Sequence, residues 1–517
     1  MRTSHDEAVA LVRAASELYI DDPAAMAVLS DLDRRLREPL RLALAGMVKA
    51  GKSTLLNAML GERLAPTDAG ECTRVVTWYR YSATPSITLH PHEGPPRRMP
   101  VHREEGRLVL ELGDISPDEA AWIDVGWPSS GLRSLILIDT PGIASLSKDV
   151  SARSTQFLTP DSEPSSADAI VYLMRHLHAS DLKFLESFRD TAAGASHTVN
   201  AVAVLSRADE IGAGRIDSLL SAGKVARRYE SDGDLASLSL GVVPVAGLLA
   251  ESARTIREDE FASFHLLAGL DRKDREALMV SADRFVRPTD STTLSEEARR
   301  QLLSRFGIFG VRLATALIRA GATDSSELSA RLVQQSGLNE LQQFIQLQFR
   351  TRAAALKVRG VLDALQTLLS EHPHADAEHI VAGVERIYAS AHTLRELSLL
   401  ARARSSDLPL SAGDAAEAER IIGGDGTTAT ARLGLPETAT PDELSARAEE
   451  LLVRWRRLSQ SPIAERATVG VGRQVIRSLE EVGSGLSLAG AGTADIVLAG
   501  GPFEPAVERA EEQRQQG

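Results

Sequence analysis

The stretch from Leu42 to Leu56, LALAGMVKAGKSTLL, constrains this chain more than any other. Small and apolar residues of the kind that form a buried strand lead into Gly46-Met47-Val48-Lys49-Ala50-Gly51-Lys52-Ser53, and a helix-forming run follows. The pattern G-x-x-x-x-G-K-[ST] between a strand and a helix reads as a phosphate loop. Its glycines let backbone N–H groups close around phosphate oxygens, and the helix N-terminus adds partial positive charge. Gly46, Val48, Lys49, Ala50, Gly51, Lys52, Ser53 and Thr54 are the nucleotide-binding residues expected here, with Lys52 on the β- and γ-phosphates. The Ser53 hydroxyl is expected to ligate Mg²⁺. The implied ligand is a nucleoside triphosphate.

Around this segment, short apolar runs recur at Leu135 to Ile138, Ala169 to Leu173 and Val199 to Leu205, with a last strand expected at Gly241 to Val245. Helix-compatible segments separate most of them, which predicts an α/β domain with a mostly parallel sheet and helices on both faces. Cys72 to Tyr79 is β-branched and aromatic and reads as a further strand, as do Ser86 to Leu89, Arg107 to Leu110 and Trp122 to Val125. After Arg254 strand signals vanish and helical periodicity takes over. Leu338, Leu341, Ile345 and Phe349 share a face that continues through Leu356, Leu362, Leu365 and Leu369, predicting one helix roughly 45–50 Å long at 1.5 Å per residue. A second stripe runs from Ile380 to Leu397. Thr440, Pro441 and Glu443 form a capping-box start, and another helix is expected over Ala464 to Val482. An elongated all-α bundle is the expectation for this half.

Composition narrows the function classes. The 517 residues allow two or three domains, and 43% hydrophobic with 25% charged residues is ordinary for a globular chain. A net charge of -13 gives no global attraction to nucleic acid or anionic lipid, so any membrane contact needs a local patch. One cysteine, Cys72, rules out an intrachain disulfide and suits a reducing compartment. The N-terminus lacks a secretory pattern, and no window reaches about 18 uninterrupted apolar residues. The expected location is cytoplasmic, and if membranes matter the protein lies on them and does not cross them.

Three further segments bear on which nucleotide binds. Asp139 ends a buried run and heads Asp-Thr-Pro-Gly, where a carboxylate can hold Mg²⁺ through water and the Gly142 N–H can approach the γ-phosphate. Ser206-Arg207-Ala208-Asp209 ends another run and is a degenerate form of the Asn/Thr-Lys-x-Asp segment that holds guanine. Asp209 keeps the acceptor role, and the Arg207 stem replaces the lysine that covers the base. Ala246, after the last strand, is expected to offer its N–H to guanine O6. The ligands expected are GTP and Mg²⁺.

In this order the motifs resemble those of the dynamin superfamily of large GTPases. The wording GMVKAGKSTLLNAMLGERLAPTDAGECTRVVTWYRY is similar to that of bacterial dynamin-like proteins, above all the actinobacterial isoniazid-inducible group. The resemblance is specific over about Leu40 to Asp209, looser at Arg305 to Gly310, and architectural beyond. It implies N-terminal helices over 1–37 packing on a helical bundle, and a GTPase domain over 38–256. A neck and first trunk helix over 257–370, a trunk and tip over 371–485, and a flexible segment over 486–517 would complete the chain. It implies Mg²⁺-dependent GTP hydrolysis coupled to head dimerisation and to remodelling or fission of membranes. The partners implied are anionic lipid and a second head, of this chain or of another dynamin-like protein, with no nucleic acid. Thr73 would be the catalytic threonine that ligates Mg²⁺ and holds the attacking water, with Thr77 the rival.

One departure stands out. Where eukaryotic dynamins carry Gln and Ser in the loop, this chain has Val48 and Lys49. Val48 cannot orient water, and Lys49 would supply positive charge near the β–γ bridge, joining Lys52 and Thr73 as a catalytic candidate. Slow basal turnover that needs dimerisation or a partner is therefore expected. The alternative is a GTP-dependent switch or scaffold subunit of a hetero-oligomer with little remodelling activity. A GTPase acting on RNA fits poorly with the acidic balance. The histidines from His372 to His379 read as a polar turn, and the arginine clusters near Arg350, Arg402 and Arg454 as solvated helix faces. Apolar loops at Leu408 to Leu410 and Leu433 to Pro436 are candidate lipid contacts.

Overall fold

The computed structural model describes residues 3–66, 75–104, 106–113, 115–141, 167–187, 199–212, 214–231, 235, 237–404, 408–460 and 465–491. Cys72, Thr73 and Gly142 lie outside the described residues. By packing the chain forms two units, Met1–Ser406 and Asp407–Gly517.

The first unit is built on strands β1 (Leu40–Gly46), β2 (Val76–Tyr81), β3 (Ser86–Pro91), β4 (Arg97–Met99), β5 (His102–Glu104) and β6 (Arg107–Val109). It continues with β7 (Ala120–Trp127), β8 (Leu135–Asp139), β9 (Ala169–Met174), β10 (Ala201–Ser206) and β11 (Val242–Val245). Nine of these make one sheet in the order β11-β10-β9-β1-β8-β2-β7-β3-β4, and β5 with β6 forms a separate ribbon. β1 runs parallel to both β8 and β9, β10 to both β9 and β11, and β2 to β7. The pairs β2–β8, β3–β7 and β3–β4 are antiparallel. The sheet is thus mixed and mostly parallel.

The wholly apolar runs form its centre because side chains alternate across a strand and both faces are covered. Ala43, Ala45, Ile136, Ile138, Ile170 and Tyr172 join one core with Phe184, Leu185, Ala222 and Ala226 from helices Ala179–Ser187 and Ser218–Ser231. The alternate residues Leu42, Leu44, Leu137, Val171 and Leu173 are equally buried on the other side. Parallel pairing brings the C-terminal ends of β1, β8, β9, β10 and β11 to one edge, and in such sheets ligands bind at that edge.

Beyond β11 the described residues contain no strand. Helices Gly247–Arg254, Glu258–Ala268, Glu296–Arg319 and Ser325–Gln335 close around Phe264, Phe285, Phe306, Phe309, Leu328 and Leu332. Glu296–Arg319 is the one helix among the described residues long and apolar enough to cross a membrane. It is kinked at Gly307 (φ 63°) and contributes Leu302, Phe306, Phe309 and Leu313 to this core.

The single helix expected over Leu338 to Leu369 is broken. Leu338–Ile345 passes into a π turn at Gln346–Arg350, and a helix resumes only at Ala353–Glu371. The Thr351 N–H bonds back five residues to the Gln346 carbonyl, and the Arg352 N–H three residues to Phe349. The turn still buries Phe349 and Gln348, and Arg352 Nη1 donates to Gln348 Oε1 at 2.8 Å. The apolar stripe survives while the helix does not, because a π turn inserts one residue without exposing the face.

Helices Ser4–Leu18 and Pro23–Arg37 pack on Ala353–Glu371. A buried ion pair ties this group to the sheet. Arg35 Nε donates to Asp168 Oδ1 at 2.6 Å, and Asp168 Oδ2 accepts from the Arg41 N–H at 2.8 Å, at the start of β1. Lys357 Nζ donates to the carbonyls of Leu36 and Glu38 at 3.1 and 2.9 Å. Its ammonium is pushed below the usual lysine range by burial, against the pull of Asp168.

In the second unit, Thr440 caps helix Pro441–Ser459 through a capping box with Glu443 and buries Leu444, Ala448, Leu451 and Trp455. Helix Arg466–Ala491 packs along it and runs past the expected end at Val482. Leu408 and Leu433, proposed above as exposed apolar loops, are buried.

Candidate nucleotide-binding site

The loop from Gly46 to Ser53 sits at the C-terminal edge of the sheet. β1 ends on Gly46 (φ 144°), where a Cβ would lie 2.3 Å from the Leu173 carbonyl oxygen, so only glycine lets β9 come this close. Gly51 (φ 97°) opens helix Lys52–Leu60 in the left-handed region, and Gly61 (φ 74°) closes it. Among the described residues two non-glycines have positive φ, Lys49 (62°) and Arg207 (52°). They touch each other, since Arg207 Nη2 donates to the Lys49 carbonyl at 3.4 Å. Strained backbone is thus gathered at one place, as it often is at functional sites.

Lys52 is nearly buried, and its Nζ donates to the carbonyls of Gly46 and Met47 at 3.1 and 3.3 Å. Burial pushes the ammonium below its usual range, while nearby Asp139 pulls it up. The Ser53 hydroxyl donates to Asp139 Oδ2 at 2.8 Å. Among the described residues, Asp139 Oδ1 is buried without a hydrogen-bond partner. Burial raises the Asp139 carboxyl above its usual range, opposed by Lys52 and Ser53. Thr140 holds this arrangement, its Oγ1 donating to the Leu44 carbonyl at 2.8 Å and so pinning the end of β8 to β1. Thr77 stands opposite Asp139 in the β2–β8 ladder and is buried, its Oγ1 donating to the Val75 carbonyl at 3.4 Å. A serine hydroxyl and a carboxylate with one unpaired oxygen are the hard oxygen donors that suit Mg²⁺. The donor set therefore fits the metal.

Beside the loop lies a cavity of about 180 Å³ whose walls include Ala50, Thr54, Ser206, Arg207, Asp209 and Gly247. Asp209 is held above the usual carboxylate range chiefly by burial. Arg207 points its Nη1 to Glu210 Oε1 at 2.7 Å, and the Ser206 hydroxyl donates to the Met174 carbonyl at 3.1 Å. Ala246 is not part of this wall. Its N–H donates to the Ser336 carbonyl at 2.9 Å, and the next residue, Gly247, lines the cavity. Val48 and Lys49 are exposed at the loop tip, Val48 by 45%. Thus Gly46, Ala50, Gly51, Lys52, Ser53, Thr54, Asp139, Ser206, Arg207 and Asp209 converge on one edge. The Glu210 wall and the Ser336 bond to Ala246 were not foreseen; both come from chain distant in sequence or outside any motif.

A buried lysine, a hydroxyl–carboxylate pair and a cavity beside the loop, on a mixed, mostly parallel sheet, are the arrangement of a nucleotide-binding α/β domain. A sequence model of the dynamin family matches residues 42–190. The chain is 40% identical over 486 residues to isoniazid-induced protein IniC of Mycobacterium tuberculosis, which covers 93% of this chain and 98% of that protein. It is 30% identical over 163 residues to a bacterial dynamin-like protein of Nostoc punctiforme, 29% of this chain and 22% of that one. It is 35% identical over 125 residues to isoniazid-induced protein IniA of Mycobacterium tuberculosis, 22% of this chain and 19% of that one. The chain belongs to the dynamin family.

Proposed function

We propose that this protein is a Mg²⁺-dependent GTPase that couples GTP hydrolysis to association of its heads and to remodelling of a membrane from the cytoplasmic side. The observation that carries the reading is the cluster of Lys52, Ser53 and Asp139, a desolvated ammonium beside a carboxylate that keeps one buried oxygen unpaired. Nearby phosphate oxygens are the natural partners of that lysine. Bound Mg²⁺, held by Ser53 and Asp139 with Thr73 as the third expected ligand, supplies charge neutralisation on the phosphates. Ala50, Gly51 and Thr54 orient the phosphates, with the Gly142 N–H on the γ-phosphate by position. The head spans 38–256, and 257–485 forms the neck, trunk and tip through which head movement reaches lipid. The family membership supports GTPase activity in general.

Asp209 is assigned to guanine because it lines the cavity and burial raises the cost of leaving it unpaired. Asp209→Ala is expected to weaken GTP binding about a hundredfold, the scale of two hydrogen bonds to a charged acceptor, while ATP binding stays as weak as in the parent. Competition titrations check both numbers.

Val48 favours a second reading. An exposed aliphatic tip offers nothing to orient water, so the protein alone turns over slowly. Dilute protein without lipid is expected to hydrolyse GTP slowly, and anionic vesicles or a second dynamin-like protein to stimulate it. Turnover assays paired with electron microscopy of the vesicles test this. Stimulated turnover with tubulated or fragmented vesicles supports remodelling. GTP-dependent association with unaltered vesicles supports instead a switch or scaffold subunit, and fast turnover in dilute protein contradicts the reading of Val48. Leu408 and Leu433 are buried, so neither is proposed as a lipid contact.

A further inference from the structure

At the far end of the helix that begins at Lys52, the chain turns at Gly61, where a Cβ would lie 2.9 Å from Arg254 Nε. Beyond that turn opens a cavity of about 210 Å³ lined by Arg63, Arg103, Arg257 and Arg305, with Glu62 and Thr255. The four arginines come from separate segments: the turn after Lys52–Leu60, strand β5, the residue before helix Glu258–Ala268, and helix Glu296–Arg319. Among the described lining residues, Glu62 is the one carboxylate facing these four guanidinium groups.

The pairing leaves positive charge over. Arg103 meets Glu62 at 2.7 Å and lies over the Trp127 ring at 4.6 Å, so that wall is fixed. Arg63 meets Glu251 at 3.3 Å and Arg305 meets Glu260 at 2.7 Å, both carboxylates being buried behind the cavity. Arg257 makes no ion pair among the described residues. Its charge, with that of Arg63, adds to burial in pushing the Arg305 guanidinium down to about 10, against the pull of Glu260. Like charges gathered at one open pocket without equal compensation make a positive potential that favours an anion there.

We propose that this pocket is a second anion site, separate from the loop at Lys52, that binds a compact phosphate-bearing group of two or more charges, a free diphosphate or the phosphorylated headgroup of a lipid. Planar guanidinium forks from several directions suit the oxygens of phosphate better than a single carboxylate. The pocket also touches the loop helix. Glu251 Oε1, the partner of Arg63, accepts from Asn57 Nδ2 at 3.4 Å, and Asn57 Oδ1 accepts from the N–H groups of Leu64 and Ala65 at 2.9 and 2.7 Å. An anion that draws on Arg63 therefore acts on the segment leaving that helix.

The test uses the full chain carrying Lys52→Ala, which weakens the phosphate binding proposed for the loop, and titrates it calorimetrically with inorganic pyrophosphate in the absence of Mg²⁺. One site is expected. Adding Arg257→Glu or Arg103→Glu, both at exposed positions, weakens it about tenfold or more, the scale of one charge-assisted hydrogen bond. Arg466→Glu, exposed in the second unit, keeps the parental affinity. Absence of binding, affinity unchanged from the parent in both pocket variants, or an equal loss in Arg466→Glu overturns the proposal. Phosphatidylcholine vesicles doped with a phosphoinositide distinguish the sources. Co-sedimentation that Arg257→Glu abolishes identifies a lipid headgroup; pyrophosphate binding without co-sedimentation identifies a soluble anion, and each supports the site.

Discussion

Lys52→Met is expected to abolish measurable GTP turnover, a loss of at least about 10²–10³, while the ligand-free protein melts no lower than the parent. The two halves of this result come from one observation. The Lys52 ammonium is almost wholly withdrawn from water; among the described residues it donates to two backbone carbonyls, with Asp139 nearby. Burial depresses its folded pKa below the unfolded value, so the folded state binds that proton less tightly than the unfolded state does. The charged form therefore costs stability at neutral pH, and that cost is relieved as pH rises through the folded pKa toward the ordinary lysine value. Methionine keeps the apolar stem and removes that cost. The Asp139 carboxyl, already raised by burial and now without the opposing Lys52 charge, takes up a proton, so no buried charge is left unpaired. A residue that is neutral or harmful to the empty fold and indispensable to turnover is there for its ligand. Thermal melts and phosphate-release assays on the same preparation check both statements. A large fall in melting temperature would instead make Lys52 a structural residue.

Asp168→Ala is expected to be the most damaging single change to the fold of the first unit, at about 3–5 kcal/mol. It leaves Arg35 charged and buried without its carboxylate, and it orphans the Arg41 N–H at the start of the central strand. Asp168→Asn keeps an acceptor for that N–H and should lose less. Trp78, Trp122 and Trp127 lie on strands of the first unit and Trp455 in the second, so fluorescence of variants keeping only one set reports each unit separately. Denaturant titration should move the transition of the first unit and leave that of Trp455 in place. An unchanged midpoint in the first unit would show that the pair is dispensable.

The strand–loop–helix from Leu40 to Leu60 could be read in the residues because each step has a local cause. An apolar run makes a strand buried on both faces, Gly46 and Gly51 take backbone angles that side chains resist, and Gly61 stops the helix. Asp139 was readable for the same reason, since it ends an apolar run that parallel pairing carries to the same edge as Gly46. Asp209 needed chain order as well, because Ser206-Arg207 departs from the usual guanine segment. What escaped reading depends on contacts between distant segments. Ala246 loses its N–H to Ser336, ninety residues away. The Arg35–Asp168 pair and the arginine pocket at Arg63, Arg103, Arg257 and Arg305 are assembled only by tertiary packing. The π turn at Gln346–Arg350 has no glycine or proline to announce it, and the apolar stripe runs through it unbroken in burial.

The measurement that tests the account most directly is phosphate release from GTP and from ATP, side by side, by the full chain with Mg²⁺ and with EDTA. The account predicts hydrolysis of GTP alone, dependent on Mg²⁺ and rising with protein concentration as heads associate. Equal turnover of ATP, or GTP turnover undiminished by EDTA, would contradict it.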